Sequence, residues 1–261
     1  MHTSLDKSLR IQIRVIHAIL MREILTRYGR HNIGFLWLFV EPMIFTLGVT
    51  AMWTALKTVH GSSLPIVAFA ITGYSCVLLW RNMPGRTIMA IEPNLSLLYH
   101  RPVKVMDIFW ARLILEAFGA TTSFFVLVNV FHFLGLLEWP EDVLQVIFGW
   151  ILLGAFGMGL ALFLGARSIK SELVEKLWHP ASYLIFPLSG AAFIVDALPP
   201  MLQKIVLWIP MVNAAELIRE GYFGRTFEAH YSIPYLVIST LFINLVGIAQ
   251  ARLNSRLVEM E

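Results

Sequence analysis

The chain of 261 residues is 57% hydrophobic and 14% charged, with a net charge of +3, whereas an ordinary soluble domain is about 25% charged. That much apolar surface excludes a water-soluble fold, and a lone cysteine, Cys76, excludes a disulfide framework or thiol metal cluster. The pI near 9.1 does not point to nucleic acid, because the basic residues are scattered between apolar stretches and form no dense patch.

In chain order, residues 5–30 read as an amphipathic helix. Leu5, Leu9, Ile13, Ile16, Leu20 and Ile24 recur at helical spacing, while Lys7, Arg10 and Arg14 take the opposite face. Such a helix lies in the headgroup plane with its cations toward anionic lipid, or packs on a soluble partner. This opening segment has neither the short apolar core nor the small-residue cleavage site of a signal peptide, so no removable leader is expected.

Six apolar windows follow, at about 33–57, 64–82, 105–135, 142–166, 179–197 and 232–250. Each approaches or exceeds the roughly 20 residues that a helix needs to cross a bilayer core of about 30 Å. The runs are continuous, not alternating, which excludes a membrane barrel. The expected fold is an all-α integral membrane protein, one domain over 1–261, without internal repeats.

An even number of crossings puts both termini on one side. Lys7, Arg10, Arg14, Arg22, Arg27 and Arg30 precede the first span, and Arg81, Arg86, Arg101 and Lys104 lie between the second and third. Arg167, Lys170 and Lys176 follow the fourth, and Arg252 and Arg256 follow the sixth. The other side receives Lys57, Lys204, Arg219 and Arg225. The basic side is the cytoplasmic one.

Two connections stand out. The loop 83–104 on the basic side carries a helical stretch, 91–99, bounded by Pro93 and by Arg101–Pro102. It presents Leu95, Leu98 and Tyr99 beside His100 and Arg101, either as a docking knob or as a solvated link. On the other side, Pro199 and Pro200 open a short apolar helix that Pro210 stops, and Asn213 with Glu216 has the spacing of a capping box for a second helix ending near Gly221 and Gly224. Both helices are too short to cross, so 198–225 dips into the outer leaflet as a re-entrant hairpin or lies flat on it.

No phosphate-cradling loop is present: Gly149 and Gly154 have the spacing, but Ala155 and Phe156 stand where Lys and Ser or Thr belong. Energy must come from another subunit or an ion gradient. Glu41, next to Pro42 in the first span, binds something polar or is neutralised by protonation or pairing. Arg112 and Glu116, four apart, form a self-neutralising pair or an anion site. Trp37, Tyr74, Trp80, Tyr183 and Phe186 anchor at interfaces or stack on sugar rings in a conduit. Gly157, Ala161 and Gly165 make a small-residue row that faces another span or a second copy. The histidines lack metal-ligand spacing, and no metal is expected.

With these residues in view, the chain resembles the ABC-2-type permeases of bacterial capsular polysaccharide export, relatives of O-antigen and teichoic-acid exporters. The resemblance rests on RYGRHNIGFLWLFVEPMI (27–44), LLYHRPVKVMDIFWAR (97–112) and IPMVNAAELIREGYFG (209–224), and on the order of elements along essentially the whole chain. Two departures are Ile33 for the usual Leu and Ala214 for the common Pro.

The resemblance implies a permease homodimer in the bacterial inner membrane, joined to two ATP-binding subunits that hold ATP and Mg; this chain holds no cofactor. It implies that Glu92, Pro93, Asn94, Leu95, Leu98, His100, Arg101 and Pro102 couple to the ATPase. A lipid-linked polysaccharide would pass between the copies and onward to a periplasmic adaptor and an outer-membrane channel. Trp37, Glu41, Tyr74, Trp80, Tyr183 and Phe186 are the conduit candidates, and Trp208, Asn213, Glu216 and Arg219 the outer gate. Arg10, Arg14, Arg27, Arg30, Arg81 and Arg86 are the pool for a phosphate-bearing head group, since inner-leaflet cations attract anionic groups by about 1 kcal/mol each.

Two other classes compete. A proton-coupled secondary transporter would titrate Glu41 or Glu116, against which stands the missing half-to-half repeat. A lipid-modifying enzyme would use Arg101–Pro102, but the complementary Ser-Arg and His-Asp elements are missing from the sequence.

Overall fold

The computed structural model describes residues 2–28, 32–56, 64–99 and 103–258, with side chains described over 6–26, 36–55, 64–99 and 103–255. Among these residues every regular element is helical. In order they are α1 (His2–Tyr28), α2 (Asn32–Leu56), α3 (Ile66–Ile88), a 3-10 turn (Glu92–Asn94), α4 (Leu95–Leu98) and α5 (Val105–Phe133). Then come α6 (Val143–Ser168), α7 (Leu173–Phe186), a π turn (Pro187–Ala191), α8 (Pro200–Val206), α9 (Pro210–Phe223) and α10 (Ile233–Val258).

Five helices, α2, α3, α5, α6 and α10, are long and apolar enough to cross a membrane, and the bent pair α8 and α9 passes the same test as a unit. The helix at the expected fifth span is shorter and displaced: it begins at Leu173 instead of 179 and its α-helical part ends at Phe186. A π turn follows, in which Gly190 has φ of +82°, a left-handed conformation that only glycine adopts cheaply. The turn packs against α9, where a side chain at Gly190 would press on Ala215.

α3 is the axis of the bundle. In its most apolar stretch 78% of residues are buried inside the chain, against 17% in α2 and in α10. It rests on α6 through the small-residue row. A Cβ on Gly157 would come within 2.9 Å of the Trp80 backbone, and one on Gly165 within 2.5 Å of Thr87 Cγ2. The row therefore faces a span of the same chain. On the other side of α6, the backbone oxygen of Gly159 would lie 2.6 Å from a Cβ on Gly247 of α10. Such small-residue approaches let helix backbones pack closely where lipid offers no hydrophobic drive.

α3 also runs past the expected end at 82. Pro84 lies within the helix, a tolerated position when neighbouring helices satisfy the freed backbone. Met83 just before it and Thr87 and Ile88 beyond it are buried. This burial keeps the chain helical, so the connection to α5 shrinks to 89–104 and Arg81 and Arg86 sit on a helix, not in a loop.

α1 is helical as expected, but its apolar stripe divides. Ile19 and Ile24 are buried against the bundle with Ile16 and Leu20 packed beside them, whereas Leu9 and Ile13 are exposed.

Candidate functional site

The coupling-loop residues fall into two groups. Glu92, Pro93, Leu95 and Tyr99 are exposed, Tyr99 at 87%. Leu98 is half-buried and packs on the main core. Asn94, expected on the docking surface, is buried instead: its amide donates to Glu23 Oε1 of α1 at 3.0 Å and to the Ala90 carbonyl at 2.9 Å. It anchors the loop. His100, Arg101 and Pro102 lie outside the described residues.

Arg112 and Glu116 reach across to other helices. Arg112 Nε is 3.1 Å from Glu23 Oε1, and its Nη1 donates to the carbonyls of Arg86 and Met89 at 2.6 and 3.0 Å. Glu116 lies 3.6 Å from Arg86 Nε, while Glu41 lies 3.4 Å from Arg86 Nη2. One guanidinium on α3 thus draws carboxylates from α2 and α5. Pairing lowers the cost of holding such groups among apolar helices.

Trp37 and Glu41 of α2 and Tyr183 of α7 are exposed. Arg81 lies over the Tyr183 ring with 4.4 Å to the centroid, uniting a head-group candidate with a conduit candidate. Tyr74 and Phe186 meet at 5.5 Å, and Phe45 closes on both at 6.0 and 6.4 Å. Tyr74 is buried beneath that cluster. Trp80 is buried too, edge-on to Trp178, so it packs the interior of the protomer and lines no open surface. Arg10 and Arg14 are exposed on α1. The Arg27 side chain and Arg30 lie outside the described residues.

At the opposite end, α8 and α9 meet at 106°. Pro210 starts α9 where the sequence suggested a stop, and Asn213 lies inside the helix, so the expected capping box does not form. The reason is that Asn213 and Glu216 are taken by other segments. Asn213 donates to the Leu207 and Ile209 carbonyls and accepts from Ser232 N at 2.9 Å. Glu216 accepts from Val195 N at 3.3 Å and His230 N at 3.2 Å.

Arg219 has 0% exposure. It donates to the carbonyls of Phe193 and Ala191 at 2.8 and 3.2 Å and lies 4.1 Å over the Phe69 ring. Three of the four outer-gate candidates are therefore buried clamps that fix α9 to the end of the π turn and to the entry of α10. Trp208 alone among them is exposed, with its carbonyl accepting from Tyr235 Oη at 2.6 Å.

Glu23 and Gln12 escaped the sequence reading. Gln12 bonds Asp107 at the start of α5. A signal existed for Glu23, which interrupts the apolar stripe of Leu20 and Ile24, where a solvated acid does not belong.

Comparison with known proteins agrees with this architecture. The ABC-2 type transporter family model matches residues 14–223. The chain is 45% identical to the capsule polysaccharide export inner-membrane protein CtrC of Neisseria meningitidis serogroup B, over 98% of this chain and 97% of that protein. It is 42% identical to the capsule polysaccharide export inner-membrane protein BexB of Haemophilus influenzae over the same shares. The polysialic acid transport protein KpsM of Escherichia coli is 26% identical over 93% of this chain and 94% of its own length. A polytopic helical chain matched by that model over most of its length, and by those relatives nearly end to end, belongs to the ABC-2 type transporter family.

Proposed function

We propose that this chain is the membrane-spanning permease subunit of an ATP-driven exporter that carries a lipid-linked capsular polysaccharide from the cytoplasm to the periplasm. The observation that carries this reading is the near end-to-end similarity to inner-membrane proteins named for capsule polysaccharide export. The sequence supports the division of labour, since it has no phosphate-binding loop of its own. Two copies of the chain and two ATP-binding subunits, which hold ATP and Mg, make up the transporter. A periplasmic adaptor and an outer-membrane channel receive the polymer.

In this arrangement both termini and loop 89–104 are cytoplasmic, following the Lys and Arg distribution. The exposed Glu92, Pro93, Leu95 and Tyr99 meet the ATPase, which suits an apolar patch rimmed by polar groups. The exposed side chains of α2 and α7 turn toward the second copy, where Arg81 receives a phosphate-bearing head group and Trp37 and Tyr183 offer ring faces to sugars.

The test is co-purification and transport. Leu95→Asp with Tyr99→Ala changes exposed side chains, so membrane insertion and folding should persist while ATPase binding and nucleotide-dependent export are lost. Normal export by that double variant would put the docking surface elsewhere, and export by the permease without any ATPase would refute the assignment.

A further inference from the structure

Two segments far apart in the chain, the loop and α5, meet on the carboxylate of Glu23 in α1. It accepts from Asn94 Nδ2 of the loop at 3.0 Å and from Arg112 Nε of α5 at 3.1 Å. The Asn94 oxygen accepts in turn from Arg22 Nη1 at 2.5 Å, so two successive residues of α1 hold both ends of one amide. Arg112 completes the junction by donating to carbonyls at the end of α3. Glu23, Asn94 and Arg112 are all buried. A second tie, from Gln12 to Asp107, binds α1 to the first turn of α5.

Charge-assisted bonds of this kind are short and directional, and when buried together they favour one geometry. The loop needs such a hold. α4 has four residues, far fewer than the roughly 12 at which a helix begins to stand by itself. Its place is therefore set by its anchors, of which Asn94 is the polar one.

We propose that Glu23 is a positioning residue that fastens α1 to loop 89–99, so that the two move as one lever with the start of α5. A push on Leu95 or Tyr99 then reaches the bundle through Asn94, Glu23 and Arg112. The proposal rests on the reading of that loop as the ATPase-facing element.

Spin labels at the exposed positions His17 on α1 and Ser96 on the loop, in a Cys76→Ala background, measure the lever in the complete transporter with and without trapped nucleotide. The expected result is one narrow distance, the same in both states. In Glu23→Gln, which keeps the side-chain shape, the distance should broaden, ATP hydrolysis should continue, and export per ATP should fall about tenfold, within the usual range of coupling energies between sites. A merely structural role would not separate hydrolysis from export. Should Glu23→Gln fail to assemble, Asn94→Ala, which leaves the Glu23–Arg112 pair in place, is read by the same two measures. A His17–Ser96 distance that changes with nucleotide overturns the proposal, as does a substituted transporter with unaltered distance and export per ATP. The Leu95→Asp control separates the two ideas: if it leaves the ATPase bound, the docking reading fails whatever the lever does.

Discussion

The guanidinium of Arg81 lies over the ring of Tyr183, 4.4 Å from its centroid, and so links α3 to α7. A cation on a ring face at a partly exposed site gains about 0.5–1 kcal/mol. The contact orients Arg81 without cancelling its charge.

If Arg81 receives an anionic head group there, Tyr183→Leu should weaken substrate response by roughly 2–5-fold, the equivalent of that energy. Tyr183→Phe keeps the ring and should change nothing. The measure is the substrate concentration that half-saturates stimulated ATP hydrolysis; equal values for Leu and Phe would remove Tyr183 from the site.

The close approach of α3 and α6 predicts a sharp contrast among glycines. Gly157→Ala places a methyl 2.9 Å from the Trp80 backbone, which cannot swing away, and should destabilise the fold by about 1–3 kcal/mol as overpacking does. Gly48→Ala on α2 meets nothing within 4 Å and should cost nothing. Thermal unfolding in detergent compares them directly.

Arg219 predicts a non-conservative outcome from a conservative change. Lysine retains the charge but has no planar fork to serve both the Ala191 and Phe193 carbonyls while lying on Phe69. Arg219→Lys should lose about 1–3 kcal/mol, the usual cost of leaving buried polar groups unserved. An unfolding midpoint equal to that of the unaltered protein would show the clamp to be dispensable.

Much of this architecture was legible in the sequence because membrane spans follow from composition alone. The windows at 33–57, 105–135 and 142–166 lie within a few residues of α2, α5 and α6, and the window at 232–250 starts with α10, which runs on to Val258. Legibility failed where a partner far along the chain decides. Pro84 looks like a helix end until Met83 and Thr87 are seen packed on α6, and Asn213 with Glu216 looks like a cap until Ser232, Val195 and His230 are seen to claim them. The same holds for Arg112, whose nearest acid in sequence, Glu116, sits beside Arg86 while Arg112 itself reaches Glu23 on α1. Spacing within one helix reveals which side chains are neighbours there, not which of them a later or earlier helix will take.

The enclosure of α3 has a consequence for biosynthesis. Thr72, Ser75 and Thr87 lie on its buried surface, and the groove that receives Trp80 and Thr87 is built from Gly157 and Gly165, which the ribosome has yet to add when α3 enters the bilayer. A nascent chain released before residue 168 would leave those hydroxyls facing acyl tails. Quality-control proteases should therefore remove fragments that stop short of α6 and spare longer ones, making the fourth apolar window the checkpoint of assembly.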